Sequence, residues 1–449
     1  MDSILAVVLC GGAGTRLFPL TEWRSKPAVP LLGKYRLVDI PISNCLNSGI
    51  DQIFVLTQFN SAGLNKHVTD TYQMDSFGKA FVSVISAEQT HQSPDWFKGT
   101  ADAVRQVMHH LNQHTYSHVL ILAGDQLYQM DFAELYQRHI EQQADISVAT
   151  TPVTSDEATG FGIMHTDAQD KIVHFREKPS VEELPDLVSD VGPQMQRQHR
   201  NYLASTGIYL FNREALEDML TADPDATDFG KEIIPESLKS HKVVSYPFKG
   251  YWSDVGSISS YHTANIELSK TTAAIDFYSA SRPIYAKKET LPPPKIHSSY
   301  IQDGFVAEGS VLHNCKIYNS VLGVRSYIGR RSTIKNSVIM GASYFPSVSE
   351  AKARGPHYAA NPGVGEVCYI ENAIIDLNAC IGNGVVLANH DGIMEGEGPN
   401  YYIKDGIIVI PQNAVIPDGT VIGTSKRIDL THQLRSEVAP PAIPVGLSM

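Results

Sequence analysis

The chain has 449 residues, of which 43% are hydrophobic and 19% charged, and a formal net charge of −12. That length exceeds one ordinary core and predicts about two domains, and the acidity argues against nucleic acid as a partner, which would require a basic surface. No apolar stretch approaches the roughly 20 residues of a membrane helix, and the N-terminal apolar run follows Asp2 with no basic region and is too short for a signal peptide.

Residues 5–10 are an apolar run too short for a helix, and they lead into Gly11-Gly-Ala-Gly-Thr-Arg-Leu17. This predicts a buried strand ending in a glycine turn. Gly11, Gly12 and Gly14 let successive N–H groups point inward, as in a phosphate-holding nest, and Thr15 and Arg16 close the turn. Arg16 adds a permanently charged fork. The same glycines also suit a tight strand–helix turn that holds no ligand. Lys26-Pro-Ala-Val-Pro30 is a stiff extended piece that presents Lys26 near that turn, or simply a solvated surface lysine.

Residues 36–48 predict a helix and Ile53–Thr57 a second buried strand ending at Gln58. Val104, Val107, Met108 and Leu111 share one helix face, with Gly99 and Thr100 at its entry. His118 to Asp125 forms a third apolar strand that ends on Gly124-Asp125. Apolar strands alternating with helices predict a parallel α/β sheet, whose ligands sit beyond the strand C-termini. Both the glycine turn and Asp125 fall at that edge.

Residues 146–153 read as a strand, and 160–164 with 171–179 as a strand pair ending in Glu177-Lys-Pro179. Residues 180–201 are polar and irregular, and 202–211 return to the sheet with Ser205 and Gly207. In Gly250-Tyr-Trp-Ser-Asp-Val-Gly256, Asp254 stands between an aromatic pair and a glycine. Asp125 and Asp254 with nearby lysines suit Mg²⁺–phosphate chemistry; as caps of a helix and a turn they would carry no chemistry.

From about residue 276 the character changes. Residues 276–296, with Arg282-Pro283 and Pro292-Pro-Pro294, predict an extended linker. Beyond them apolar residues recur six apart, as in Val311 and Ile317, Ile328 and Ile334, Ile375 and Ile381, Ile416 and Ile422. A six-residue period predicts a parallel β-helix, interrupted by a loop at 343–366. The five cysteines (10, 45, 315, 368 and 380) form no Cys-x-x-Cys pair and read as small core residues of a reduced, cytoplasmic protein.

Taken together these motifs resemble those of the ADP-glucose pyrophosphorylases over nearly the whole chain. The segments that carry the resemblance are 11–17, 26–30, 39–48, 56–61, 96–104, 123–128, 177–179, 204–209, Asp228-Phe-Gly230 and 250–256. The resemblance implies an α/β fold, a Rossmann-like nucleotidyltransferase domain over 1–275 followed by a left-handed parallel β-helix over 297–449 that serves oligomerisation and regulation, in a homotetramer or mixed tetramer. The implied reaction converts ATP and glucose 1-phosphate to ADP-glucose and pyrophosphate for glycogen or starch synthesis. It implies Mg²⁺ on Asp125 and Asp254, with Arg16 and Lys26 neutralising phosphate charge. Gly11, Gly12, Gly14, Thr15, Gln58, Gly99 and Thr100 would meet the nucleotide. Phe97, Gly162, Glu177, Lys178 and Ser205 would meet glucose 1-phosphate.

The chain departs from the family at Gln126, where histidine is common, and at Ser253, where glutamate is common. Trp23, Leu377 and Gln412 stand where relatives carry activator-binding lysines, leaving Arg24, Arg36 and Lys404 as basic candidates for an anionic effector. Two alternatives share the architecture: a nucleotidyltransferase making another nucleotide sugar, and a noncatalytic regulatory subunit of the same complex.

Overall fold

The computed structural model describes residues 3–74, 78–89, 95–270, 272–345 and 362–425. Contacts divide the chain into two units, one built from residues up to 31 with 35–257 and 273–289, the other from 32–34, 258–272 and 290 onward.

The first unit is organised on β1 (Ile4–Cys10), whose strand neighbours are β4 (Gln52–Thr57) and β6 (His118–Ala123), both parallel to it. Short strands β2 (Pro30–Leu31) and β3 (Tyr35–Arg36) form a separate pair, and β5 (Phe81–Ser86) extends the sheet beyond β4. Strand β1 is buried on both faces, which is why its sequence is continuously apolar rather than alternating. On one face Leu5 and Val7 join Val119 and Ile121 to pack against Val104, Val107 and Leu111 of the helix Thr100–Leu111. That is the helical face expected from the spacing.

Beyond β6 the sheet stops being parallel. After β7 (Gln126–Tyr128) come β8 (Ile146–Val153), β9 (Gly162–Thr166), β10 (Ile172–Glu177), β11 (Tyr202–Asn212) and β12 (Val243–Pro247). Strand β11 runs antiparallel to β6, β8 and β9, so the purely parallel expectation is corrected to a mixed sheet. The parallel half rests on helical crossovers, and the other half on the long 11-residue β11. Residues 180–201, expected to be irregular, contain the helical turns Leu184–Leu187 and Pro193–Arg197. Leu184 and Leu187 are buried beside Val153 and Ile163. Strand β13 (Trp252–Asp254) pairs antiparallel with β7, setting Asp254 opposite Gln126.

Of the extended linker expected over 276–296, residues 276–289 belong to the first unit and pack on it. Ile275 and Ile284 are buried, Arg282 pairs with Asp131 at 2.8 Å, and the Tyr285 N–H donates to Ser43 Oγ at 2.9 Å. These contacts strap the segment onto the first unit.

In the second unit parallel strands stack side chains into three columns. Leu312, Ile328, Val364, Ile381 and Ile416 form one, and Ile317, Ile334, Ile370, Leu387 and Ile422 another. Leu322, Ile339, Ile375 and Ile410 form the third. All of these side chains are buried. The six-residue spacing is therefore the step from one side of a rung to the next. Val311 is the exception: Leu312 points into the core instead, so that expectation is off by one residue. Asn314, Asn319, Asn336 and Asn372 turn corners with φ between +40° and +50°, a conformation asparagine tolerates. Of the expected loop at 343–366, residues 346–361 lie outside the described residues, and Gly363–Val364 is already back in the ladder. All five cysteines are buried free thiols. Among the described residues no helix is long and apolar enough to cross a membrane.

Candidate active site

Strands β1, β4 and β6 end side by side, so the glycine turn, Gln58 and Asp125 emerge at one edge of the first unit. A cleft of about 600 Å³ opens there, within the range of small-molecule sites. Gly11, Gly12, Arg16, Gln58, Phe97, Gly99, Thr100, Asp125, Gly162, Glu177, Lys178 and Ser205 all line it. Gly14, Thr15 and Lys26 line a smaller hollow that shares Gly12, Arg16 and Asp125 with the cleft. Asp254 reaches the same place from β13, at 3.5 Å from Lys26 Nζ and 3.8 Å from the Arg16 guanidinium.

Lys26 is the centre of the charged group. Its side chain is 8% exposed, and its ammonium lies 2.8 Å from Asp125 Oδ2 as well as against Asp254 Oδ1. Two carboxylates from segments 129 residues apart in the chain are thus held around one cation. The helical turn Lys26–Ala28, with Pro27 inside it, fixes the lysine backbone. Gly14 lets the turn approach it: φ is +62°, and a Cβ there would lie 2.9 Å from Lys26 Cβ.

Gln58 donates from Nε2 to the Phe97 carbonyl at 3.3 Å, and its buried Oε1 has no hydrogen-bond partner among the described residues. An acceptor in a cleft wall is thereby left for a donor from outside. Thr100 also ties two segments together. Its hydroxyl accepts from the Phe229 N–H at 3.0 Å and lies 3.3 Å from Asp228 Oδ2, tying the helix start to the segment 228–230.

On the opposite side Glu177 ends β10, and Lys178 follows at φ +48° with its N–H bonded to the Phe161 carbonyl at 2.9 Å. Burial pushes the Glu177 carboxyl above its ordinary value; Asp228 adds to the rise while Lys178 and Lys231 oppose it. Gly162 is needed beside it, since a Cβ would sit 2.6 Å from both Glu177 Oε2 and the Phe175 ring. Ser205 Oγ is 3.3 Å from the Tyr209 hydroxyl and accepts from the Gly207 N–H. Lys98, Phe161, Tyr209 and residues 228–230 line the cleft too and were not singled out as site residues. Their sequence signals were the segments 96–104 for Lys98, 204–209 for Tyr209 and Asp228-Phe-Gly230; Phe161 lies outside all of them. Gln126, one of the departures, also lines the cleft, accepting from Trp252 Nε1 at 3.2 Å.

The three basic candidates lie elsewhere. Arg24 is largely buried, and burial lowers the Arg36 pKa, with Asp39 opposing and Arg24 adding to the fall. Arg36 donates to the Gly63 carbonyl at 3.3 Å. Lys404, in the second unit, is ion-paired with Glu395 at 2.6 Å.

The nucleotidyl transferase family model matches residues 5–271, more than half of the chain. The chain belongs to the nucleotidyl transferase family. The GLGC left-handed parallel beta-helix domain model matches residues 289–421 of this nucleotidyl transferase, and the two in succession are the architecture of the ADP-glucose pyrophosphorylases it resembles. As donors, Asp125 and Asp254 are hard oxygen ligands brought around one point, and they fit a small divalent cation. Among the described residues no third His, Cys, Asp or Glu completes a metal cage. That fits a cation whose remaining ligands are waters and substrate phosphates.

Proposed function

We propose that the chain is a glucose-1-phosphate adenylyltransferase, forming ADP-glucose and pyrophosphate from ATP and α-D-glucose 1-phosphate for α-glucan synthesis. The observation that carries this reading is the single cleft shared by the glycine turn, Gln58, Glu177-Lys178 and Asp125. The orphaned Gln58 Oε1 favours adenine, whose exocyclic amino group can donate to it; guanine presents a carbonyl oxygen at the corresponding place.

In this reaction a phosphate oxygen of glucose 1-phosphate attacks the α-phosphorus of ATP. A phosphorus–oxygen bond forms there as the bond to the β-phosphate bridging oxygen breaks, and pyrophosphate departs with the electron pair. No side chain serves as nucleophile, and catalysis consists of alignment and charge stabilisation. The backbone of Gly11, Gly12, Gly14 and Thr15 holds triphosphate oxygens, while Gly99 and Thr100 close the nucleotide wall. Arg16 and Lys26 offset charge on the departing pyrophosphate. Lys178 binds the sugar phosphate, Glu177 and Ser205 take sugar hydroxyls, and Phe97 and Gly162 shape the space around the ring. Asp125 and Asp254 would hold Mg²⁺, which supplies positive charge to the reacting phosphates when bound.

The reading also carries a cytoplasmic homotetramer responsive to anionic effectors, with Arg24, Arg36 and the Glu395-paired Lys404 as basic candidates. Trp23, Leu377 and Gln412 in place of lysines predict weakened or rerouted activation. The deciding experiment offers ATP, GTP, dTTP and UTP with glucose 1-phosphate to the chain purified alone. ADP-glucose as the dominant product supports the assignment. Preference for another base overturns the adenine reading, and no product with any base overturns catalysis by this chain.

A further inference from the structure

Gln126 follows Asp125 in the chain, and its side chain forms part of the cleft wall. Its carboxamide is oriented by one bond, in which Oε1 accepts from Trp252 Nε1 at 3.2 Å. An indole N–H can only donate, so the amide oxygen faces Trp252 and the two N–H bonds of Nε2 face away from it. The pairing of β7 with β13 sets Gln126 opposite Asp254 and Trp252 opposite Tyr128, which makes Gln126 and Trp252 diagonal neighbours on the ribbon. Trp252 is steadied in turn by Phe161, whose ring meets it at 70° with centroids 5.4 Å apart.

The Nε2 group has no hydrogen-bond partner among the described residues, although Gln126 is only 9% exposed. Idle amide donors in a largely buried side chain cost stability unless an acceptor reaches them, and here the open side is the cleft. Gly207, at φ +71°, leaves room for that acceptor, because a Cβ there would lie 3.3 Å from Nε2. The Gly207 N–H also donates to Ser205 Oγ at 3.3 Å, which puts the amide on the side of the cleft assigned to the sugar. A sugar hydroxyl both donates and accepts, and a carboxylate such as Glu177 meets only its hydrogen. A neutral amide supplies the missing donor without adding charge beside Asp125 and Asp254.

We propose that Gln126 is a specificity-determining residue that donates from Nε2 to the 2-hydroxyl of the hexose 1-phosphate. That hydroxyl is adjacent to the carbon bearing the phosphate, as Gln126 is adjacent to Asp125. The inference rests on the assignment of the cleft to a hexose 1-phosphate. Glucose holds this oxygen equatorial, mannose turns it axial, and a 2-deoxy sugar leaves the amide donors unpaired. Trp252 is a positioning residue here: without its N–H the amide can turn over and present its oxygen instead.

The test crosses enzyme variants with a substrate analogue. For the parent, kcat/KM with 2-deoxyglucose 1-phosphate is expected to be about tenfold below that with glucose 1-phosphate. Gln126→Met keeps the side-chain length but removes the donor. It should lose about tenfold on glucose 1-phosphate and almost nothing further when the 2-hydroxyl is also absent. Trp252→Phe should give an intermediate ratio; a ratio equal to the parent's would overturn its positioning role. Each ratio compares two substrates on one preparation, so a misfolded fraction cancels. A ratio in Gln126→Met as large as the parent's would place the 2-hydroxyl on another residue and overturn the proposal. A parent that does not distinguish the two sugars would overturn it as well. A parent that prefers another base reports the same ratios with that base, which separates failure of the adenine assignment from failure of this contact. A parent forming no nucleotide sugar overturns both.

Discussion

Lys26→Met removes the cation that Asp125 and Asp254 share, at little cost in side-chain volume. At an effective dielectric constant of about 20, the contacts at 2.8 and 3.5 Å correspond to roughly 6 and 5 kcal/mol of gross attraction. Most of this is offset by desolvation of the three groups, and deleting one partner of a fully buried pair costs about 3–5 kcal/mol. Asp125 and Asp254 retain 30% and 22% side-chain exposure, so water takes up part of the loss and about 2–3 kcal/mol is expected. For a unit of this size that lowers the metal-free melting temperature by about 4–12 °C. The assay is a thermal melt in chelator and again in Mg²⁺. The cation should recover more of the loss in Lys26→Met than it adds to the parent, since it meets two carboxylates with no competing ammonium. Turnover should remain depressed by about 10²–10³-fold, because the charge offset on pyrophosphate is still missing. A variant that melts with the parent in chelator would show that the two carboxylates do not depend on Lys26, and the account of the site would fail.

Asp125→Asn keeps the shape but removes the carboxylate proposed to hold Mg²⁺, and turnover should fall by about 10²-fold or more with the fold retained by circular dichroism; an unchanged rate removes Asp125 from its role. Gln58→Leu deletes the orphaned acceptor, and competition between ATP and GTP should show adenine preference falling by about tenfold; an unaltered ratio refutes the adenine contact. Glu177→Gln tests burial of a charge. A folded pKa raised by burial above the ordinary value of 4.5 means that ionisation costs the folded state stability, a cost that grows between the two values and is complete above the folded one. The glutamine variant should therefore melt higher than the parent at neutral pH, with the gain shrinking as pH falls through the folded pKa towards 4.5. The same variant should bind glucose 1-phosphate more weakly; a gain independent of pH would refute the burial argument.

The sequence was most legible where one local rule settled the outcome. The apolar run at 5–10 could only be a doubly covered strand, and the face of Val104, Val107 and Leu111 could only be a helix on it. Less was legible where structure depends on distant partners. The polarity of β11 is decided by its pairing with β6 and β8, which no local pattern encodes. The prolines of 276–296 could not say that Arg282 would find Asp131. In the site, charged residues after strands were visible as candidates. Phe161 and Tyr209 were not, because an aromatic residue in a strand reads as core until the cleft beside it is known.

The glycines show how such a charged site can be built before any substrate arrives. Four separate segments must bring Arg16, Lys26, Asp125 and Asp254 within a few ångströms, and side chains at the junctions would keep them apart. At Gly256 a Cβ would lie 2.9 Å from Asp254 Oδ2 and 3.2 Å from the Arg16 guanidinium, the same crowding that Gly14 shows toward Lys26. Gly12 is the contrast: a Cβ there would meet nothing within 4 Å, although the residue lines both the cleft and the hollow under Lys26. Glycine at position 12 is therefore not required by the packing of the protein. It keeps clear a volume that only a bound molecule would use, beside the cations suited to phosphate. An alanine there should fold as the parent does and lose affinity for the nucleotide, whereas alanine at Gly256 should disturb the charged group itself.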